Sequence, residues 1–281
     1  MYGESVSPLM MLLPIVIYPM LAALVISFIL FKLAKSGKVK TAYWLAPLVI
    51  WLAWLTAAQG IHTRWNFPPR QAMDWLLLMP LIPTLAMRTP QNIRMAGFGV
   101  ALVLSFAVVA QPIVGRMSLV EIISHAIGGL LVAGITLMAA ERQHNSFRFP
   151  VSLIVMMTMS ALVTGISSSL SLAQMIGGIC AALGAVWLMA LMLKTEPQIP
   201  LLIARGSLAV WLMVLAYAHY YADVSVWALL LLALPLLIKW PSASHKKAKR
   251  PRWKDLAGTV LASVIPGLLA LWLIWPEQPL Y

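Results

Sequence analysis

The chain has 281 residues, of which 62% are apolar and 10% carry a charge, and its mean hydropathy is +0.89. Charged residues make up about a quarter of an ordinary soluble domain, so this composition excludes a sizeable soluble domain. The net charge of +12 lies in short segments between apolar runs, which argues against nucleic acid as a partner. The single cysteine, Cys180, excludes an internal disulfide and a cysteine metal cluster.

Ten apolar runs are candidates to cross a membrane, which takes about 20 apolar residues per helix. They are 8–31, 41–58, 72–87, 95–113, 119–139, 149–167, 172–193, 199–218, 224–238 and 256–275. The first run lacks the basic start of a signal peptide, so we expect a retained helix. The runs 72–87 and 224–238 are short and could be broken or re-entrant, which leaves eight spans as an alternative. We predict an all-α, polytopic transmembrane bundle of about ten spanning helices, forming a single integral-membrane domain over residues 1–281.

The basic residues predict the orientation of this bundle. With the N-terminus outside, seventeen of the twenty Lys and Arg residues fall on one side, and Arg64, Arg70 and Arg116 fall on the other. Such an excess is typical of cytoplasmic loops. Both termini are then expected outside, and the protein is expected to be multi-pass in the cell (inner) membrane.

The segment 239–255 carries seven of the twenty basic residues and is predicted to be a basic cytoplasmic loop. We expect anionic lipid at the cytoplasmic face as its partner, with a membrane protein as a further possibility. Arg205, inside an apolar run, is expected to reach the same headgroups. The residues predicted to bind lipid headgroups are Arg205, Lys246, Lys247, Lys249, Arg250 and Arg252.

Carboxylates in the hydrocarbon are costly and usually functional. None of the eight acidic residues falls at the midpoint of a predicted helix, so we expect no buried carboxylate that would couple transport to an ion. Asp74, Glu121 and Asp223 stand at predicted helix starts, where negative charge is favoured.

Polar residues of the outer side form a candidate site. The loop 60–74 pairs Arg64 and Arg70 with Asp74, which suits either a ligand vestibule or an interfacial turn. Ser118 and Glu121 have the spacing of a capping box. A zinc or copper site needs three or four ligands that converge, and nothing in the sequence indicates that these residues do so. We therefore predict no metal and no cofactor. The outer candidates are His62, Arg64, Arg70, Asp74, Glu121, His125 and His219.

Two neighbouring runs carry stripes of small and polar residues. A largely hydroxyl stripe recurs every fourth position from Ser152 to Ser168, with Met156 as its apolar member, and glycines and alanines recur at the same spacing along 172–193. We expect these helices to pack closely, because small residues let backbones approach in lipid. A glycine patch on 119–139 suggests similar packing. The alternative is a polar lining for a solute path, formed by Ser160, Thr164, Ser168 and Gln174.

No sequence motif of a serine hydrolase, a zinc protease or a Walker-type nucleotide site is present, so an enzyme is not favoured. We expect a transport-type bundle that moves or holds a small or lipidic solute without a buried coupling carboxylate. One alternative is a non-catalytic membrane subunit or scaffold of a larger complex. The other is an intramembrane enzyme or redox protein that uses Glu121, His125, His219 or the loop from Arg64 to Asp74.

Overall fold

The computed structural model describes residues 12–62, 65–143, 147–167, 169–193, 198–239 and 253–275. Over these ranges the regular structure is helical, and no strand occurs in them. In chain order the helices are α1 (Leu13–Lys35, with a π-helical first turn at Leu13–Ile17), α2 (Val39–Leu45), α3 (Leu48–Ile61), α4 (Ala72–Leu78), α5 (Leu81–Ala86), α6 (Gln91–Val109), α7 (Gln111–Val114), α8 (Leu119–Glu141), α9 (Arg148–Ser167), α10 (Leu170–Leu193), α11 (Gln198–Ala222), α12 (Val226–Ala233, followed by a 3-10 turn at Leu234–Leu237) and α13 (Trp253–Ile274).

Seven of these helices are long and apolar enough to cross a membrane, namely α1, α6, α8, α9, α10, α11 and α13. The prediction of a helical membrane bundle is therefore confirmed. An eighth span results if α2 and α3, which meet at a bend of 43°, are counted together. The predicted count of ten spans is not confirmed, because the runs 72–87 and 224–238 form only short apolar helices.

Prolines account for the breaks in the three shorter apolar segments. Pro47 stands at the bend between α2 and α3, Pro80 at the break between α4 and α5, and Pro235 in the 3-10 turn. Proline has no backbone N–H and clashes with the preceding turn, so a helix bends or ends there. At the second break the Trp51 indole donates to the carbonyl oxygen of Leu77 at 3.1 Å.

Helix α11 forms the centre of the bundle. It is apolar on all sides and far more buried than the other long helices, as expected for a helix surrounded by protein. It packs against α3, α9 and α10 along much of its length. Gly206 brings it against the α2–α3 bend, since a Cβ at that position would overlap the carbonyl oxygen of Pro47.

Candidate functional site

A cavity of about 590 Å³ lies between α6, α8, α11 and α12. Its walls are mainly apolar and include Phe106 from α6, Val132 from α8 and Leu229 from α12. The short helix α7 covers one end, where Ile113 lines the cavity. Ligand pockets in proteins have volumes of about 300–1,000 Å³ and mainly apolar walls, so this cavity is the candidate binding site.

Polar rings line the cavity near its covered end. His125 lies in the second turn of α8, and His219 and Tyr220 lie in the last turn of α11. Trp211 lines the far end, nine residues before Tyr220, which corresponds to about 13 Å along a helix. The Trp211 indole N–H donates to the hydroxyl of Ser160 at 3.1 Å. The cavity is thus elongated, with hydrogen-bonding groups at one end and a satisfied indole at the other.

Hydrogen bonds hold the polar rings in place. The Tyr220 hydroxyl lies 2.7 Å from Nδ1 of His125, and Nδ1 of His219 lies 2.8 Å from the carbonyl oxygen of Val224. Because a carbonyl oxygen only accepts, Nδ1 of His219 carries a proton, and Nε2 of the neutral ring keeps a lone pair. The Tyr220 ring meets both imidazoles edge to face, with centroids 5.4 Å from His125 and 4.9 Å from His219. We refer to His125, His219 and Tyr220 as the ring cluster.

A glycine of α8 leaves room in the cavity wall. Gly128 lines the cavity, and a Cβ added there would meet no other heavy atom within 4 Å. Gly134 is equally open but does not line the cavity. The glycine patch on this helix, interpreted from sequence as a packing surface, therefore includes a position that borders empty volume.

The turn after α11 differs from the prediction. Asp223 was expected at the start of a helix, but the residue before α12 is Ser225, and Asp223 adopts a left-handed conformation with φ of 50°. The N–H of Val224 donates to the carbonyl oxygen of Ala218 at 3.2 Å. This pattern ends a helix, and it directs the Val224 carbonyl toward His219.

Asp74 lies at the start of α4, as predicted, and corrects one expectation. Its side chain is fully buried, and among the described residues its side-chain partner is His62 and not Arg70. Oδ1 lies 3.0 Å from Nε2 of His62, and Oδ2 accepts the backbone N–H groups of Arg70 at 3.1 Å and Gln71 at 3.2 Å. These bonds form a capping box at the start of α4, which compensates the cost of burial. Arg64 lies outside the described residues.

The outer candidates therefore separate into two groups. His62 and Asp74 join the ends of α3 and α4, while His125 and His219 belong to the ring cluster beside the cavity. Glu121, one turn before His125, forms the predicted capping box, since its Oε2 accepts the N–H of Ser118 at 2.8 Å. Within the described ranges, no group of three or more His, Cys, Asp and Glu side chains is arranged to hold a metal ion.

The hydroxyl stripe lies apart from the cavity. Ser160 accepts from Trp211, and the Thr164 hydroxyl donates to the Ser160 carbonyl oxygen at 2.7 Å. Both residues are buried and neither lines the cavity. Helices α9 and α10 do pack closely, with Gln174 of α10 half-buried, but the Ser160 hydroxyl bonds to α11. Ser168 lies outside the described residues.

Arg205 is directed into the protein rather than toward lipid headgroups. Its Nε donates to the carbonyl oxygen of Ala140 at 3.2 Å, and its Nη2 to those of Glu141 at 3.2 Å and Gln143 at 2.8 Å. These carbonyls end α8, where a cation satisfies free backbone acceptors and the helix dipole. The other predicted headgroup ligands lie outside the described residues; they are Lys246, Lys247, Lys249, Arg250 and Arg252.

Comparison of the chain with protein-family models, with curated proteins and with solved structures gave no match. The site consequently stands on its own geometry. Sequence reasoning identified His125 and His219 but did not associate them with Tyr220. Nothing local in the sequence indicates the gap between α8 and α11, because it depends on how helices distant in the chain pack.

Proposed function

We propose that this protein is a transport-type membrane bundle that holds or moves a small or lipidic solute in the cavity between α6, α8, α11 and α12. The observation that carries the proposal is the elongated, mainly apolar cavity, which has a hydrogen-bonding ring cluster at one end. An apolar cavity of this size favours a hydrocarbon-rich solute, and hydrogen bonds to the ring cluster would fix the orientation of that solute.

The proposed movement is not coupled to ions through a buried carboxylate. Asp74 is buried, but hydrogen bonds from His62 and from two backbone N–H groups occupy both of its oxygens. None of the described residues lining the cavity is Asp, Glu, Lys or Arg. A coupling site would place an ionisable acid on the solute path, so facilitated movement or storage fits better.

A matched pair of glycine substitutions tests the proposed function. Gly128→Leu places a side chain where no atom lies within 4 Å of an added Cβ, and Gly134→Leu does the same away from the cavity. We expect protein purified from membranes to retain a bound lipid that is at least fivefold depleted in Gly128→Leu and unchanged in Gly134→Leu. Lipid extraction followed by mass spectrometry measures this. Equal lipid content in the unsubstituted protein and in both variants would contradict the proposal.

We further propose ten membrane passes, with the two short apolar segments each crossing the bundle. For 72–86, the supporting contacts lie at its two ends. Asp74 meets His62 beyond the end of α3, while Arg88 stacks on Trp44 of α2 with its guanidinium carbon 3.6 Å from the ring centroid. The segment therefore runs antiparallel to the bent pair α2–α3.

The segment 226–237 has the same kind of support. At one end the Val224 carbonyl accepts from His219, close to the contact between Tyr220 and His125. At the other end the Ile238 carbonyl accepts from the Gln143 side chain at 2.7 Å, just after α8 ends. Its two ends therefore lie at the level of His125 and just beyond the end of α8, and between them α12 packs against α13 and α9.

Both short segments are nevertheless shorter than a lipid hydrocarbon core. The fifteen residues of 72–86 rise about 22 Å and the twelve residues of 226–237 rise about 20 Å, against a core of about 30 Å. Local thinning of the bilayer accommodates such a mismatch at a modest cost. We propose that the basic end of the bundle is the cytoplasmic end, that both termini are outside and that the membrane is the inner membrane.

A further inference from the structure

The cavity and the ring cluster together indicate the chemistry of the solute. We infer that the occupant is a neutral lipid with a single hydroxyl head, and that the head lies at the ring cluster with the hydrocarbon directed toward Trp211. This inference rests on the proposed function, because it assumes that the cavity holds a lipidic solute.

Charge is the first reason for a neutral head. No Lys or Arg occurs among the described residues that line the cavity. A phosphate or carboxylate head at the ring cluster would find no cationic partner there, so nothing would favour it over a neutral head. The nearest acidic group along α8, Glu121, is engaged with Ser118 and would repel an anion.

Hydrogen-bonding capacity is the second reason. Nδ1 of His219 donates to Val224, so Nε2 of the neutral ring is an acceptor that suits an O–H donor. When the Tyr220 hydroxyl donates to Nδ1 of His125, the proton of that neutral imidazole is on Nε2, which is then a donor. A hydroxyl group both donates and accepts, so it can bond to the Nε2 of either imidazole.

The other polar groups of the cavity explain the single polar head. The Trp211 N–H is taken by Ser160, and the Ser124 hydroxyl, which also lines the cavity, donates to the Glu121 carbonyl oxygen at 2.8 Å. Neither donor remains to bind a second polar head. The distance of about 13 Å along α11 between Trp211 and Tyr220 is the length available to the hydrocarbon.

Photo-crosslinking with three probes of equal chain length tests the inference. The probes are a long-chain alcohol, the corresponding fatty acid and the corresponding hydrocarbon, each with a diazirine in the chain. With the full-length protein in neutral nanodiscs at pH 7.5, we expect the alcohol to label peptides of α8 and α11 about fivefold more than either other probe, as one hydrogen bond of ordinary strength provides. Equal labelling by all three probes, or stronger labelling by the acid, would overturn the inference.

Variants separate this inference from the proposed function. His219→Phe keeps a ring of similar size but has no acceptor, so the alcohol-to-hydrocarbon labelling ratio should fall about fivefold while hydrocarbon labelling persists and reports an intact cavity. If that variant does not fold, Tyr220→Phe replaces it, and the ratio should fall in the same direction. An unchanged ratio in a folded variant refutes the hydroxyl head.

The glycine variants test the cavity itself. Loss of all labelling in Gly128→Leu but not in Gly134→Leu supports the cavity as the binding site. Labelling that persists in Gly128→Leu refutes the proposed function as well.

Discussion

A buried carboxylate in a membrane protein invites a functional interpretation, and Asp74 shows why its hydrogen bonds must be examined first. Its side chain is fully excluded from solvent, yet one imidazole and two backbone N–H groups point at its oxygens. Those groups would otherwise be unsatisfied donors at the start of α4. Asp74 therefore acts as a structural cap that joins α3 to α4.

Removing this cap should reduce stability more than removing an exposed one. We expect Asp74→Ala to lower the free energy of unfolding by about 2 kcal/mol, because buried donors lose their acceptor. The exposed cap in Glu121→Ala should cost about 0.5 kcal/mol, since water can replace it. Thermal unfolding in detergent, followed by size-exclusion chromatography, compares the two variants. Equal costs would mean that burial at Asp74 contributes nothing.

At the scale of helices, the approach of α11 to the α2–α3 bend depends on one glycine. A Cβ at Gly206 would overlap backbone atoms of Pro47, whereas a Cβ at Gly184 of α10 meets nothing within 4 Å. Backbone atoms at a proline bend cannot move aside as a flexible side chain can. The central helix thus requires the smallest residue at this crossing.

Alanine substitutions at the two glycines should have opposite effects. Gly206→Ala forces α11 away from the bend, and we expect it to destabilise the protein by about 1–3 kcal/mol. Gly184→Ala gains helix propensity and should be neutral or stabilising by up to about 1 kcal/mol. Melting temperatures of both variants in the same detergent measure the difference, and a Gly206→Ala protein as stable as the parent would show that the contact is loose.

Hydropathy located nearly all the helical structure, because each of the ten predicted runs coincides with helix in the described residues. The capping box at Ser118 was also predicted, since its residues are only three positions apart in the sequence. Contacts between distant segments were not: Arg205 reaches the end of α8, and Asp74 pairs with His62. The cavity escaped prediction for the same reason, since an unfilled volume is defined by packing and not by any stretch of sequence.

For the whole molecule, cysteine labelling tests the proposed ten passes. In a Cys180→Ser background, a membrane-impermeant maleimide should label Phe67→Cys in intact cells. It should label Gln91→Cys and Lys239→Cys only after the membrane is disrupted, because these exposed positions follow the two short segments at the proposed cytoplasmic end. Labelling of Gln91→Cys from outside would show that 72–86 turns back instead of crossing.

The two sides of α8 carry a consequence for how the cavity is filled. Ile123, Ile127 and Leu131 form a stripe at four-residue spacing on its outer surface, each at least half exposed, while Gly128 and Val132 line the cavity. One helix is thus all that divides the interior from the surrounding acyl chains. A solute that enters laterally, past α8, would come from the membrane leaflet. Occupancy of the cavity should then follow the mole fraction of the solute in the bilayer and not its concentration in water.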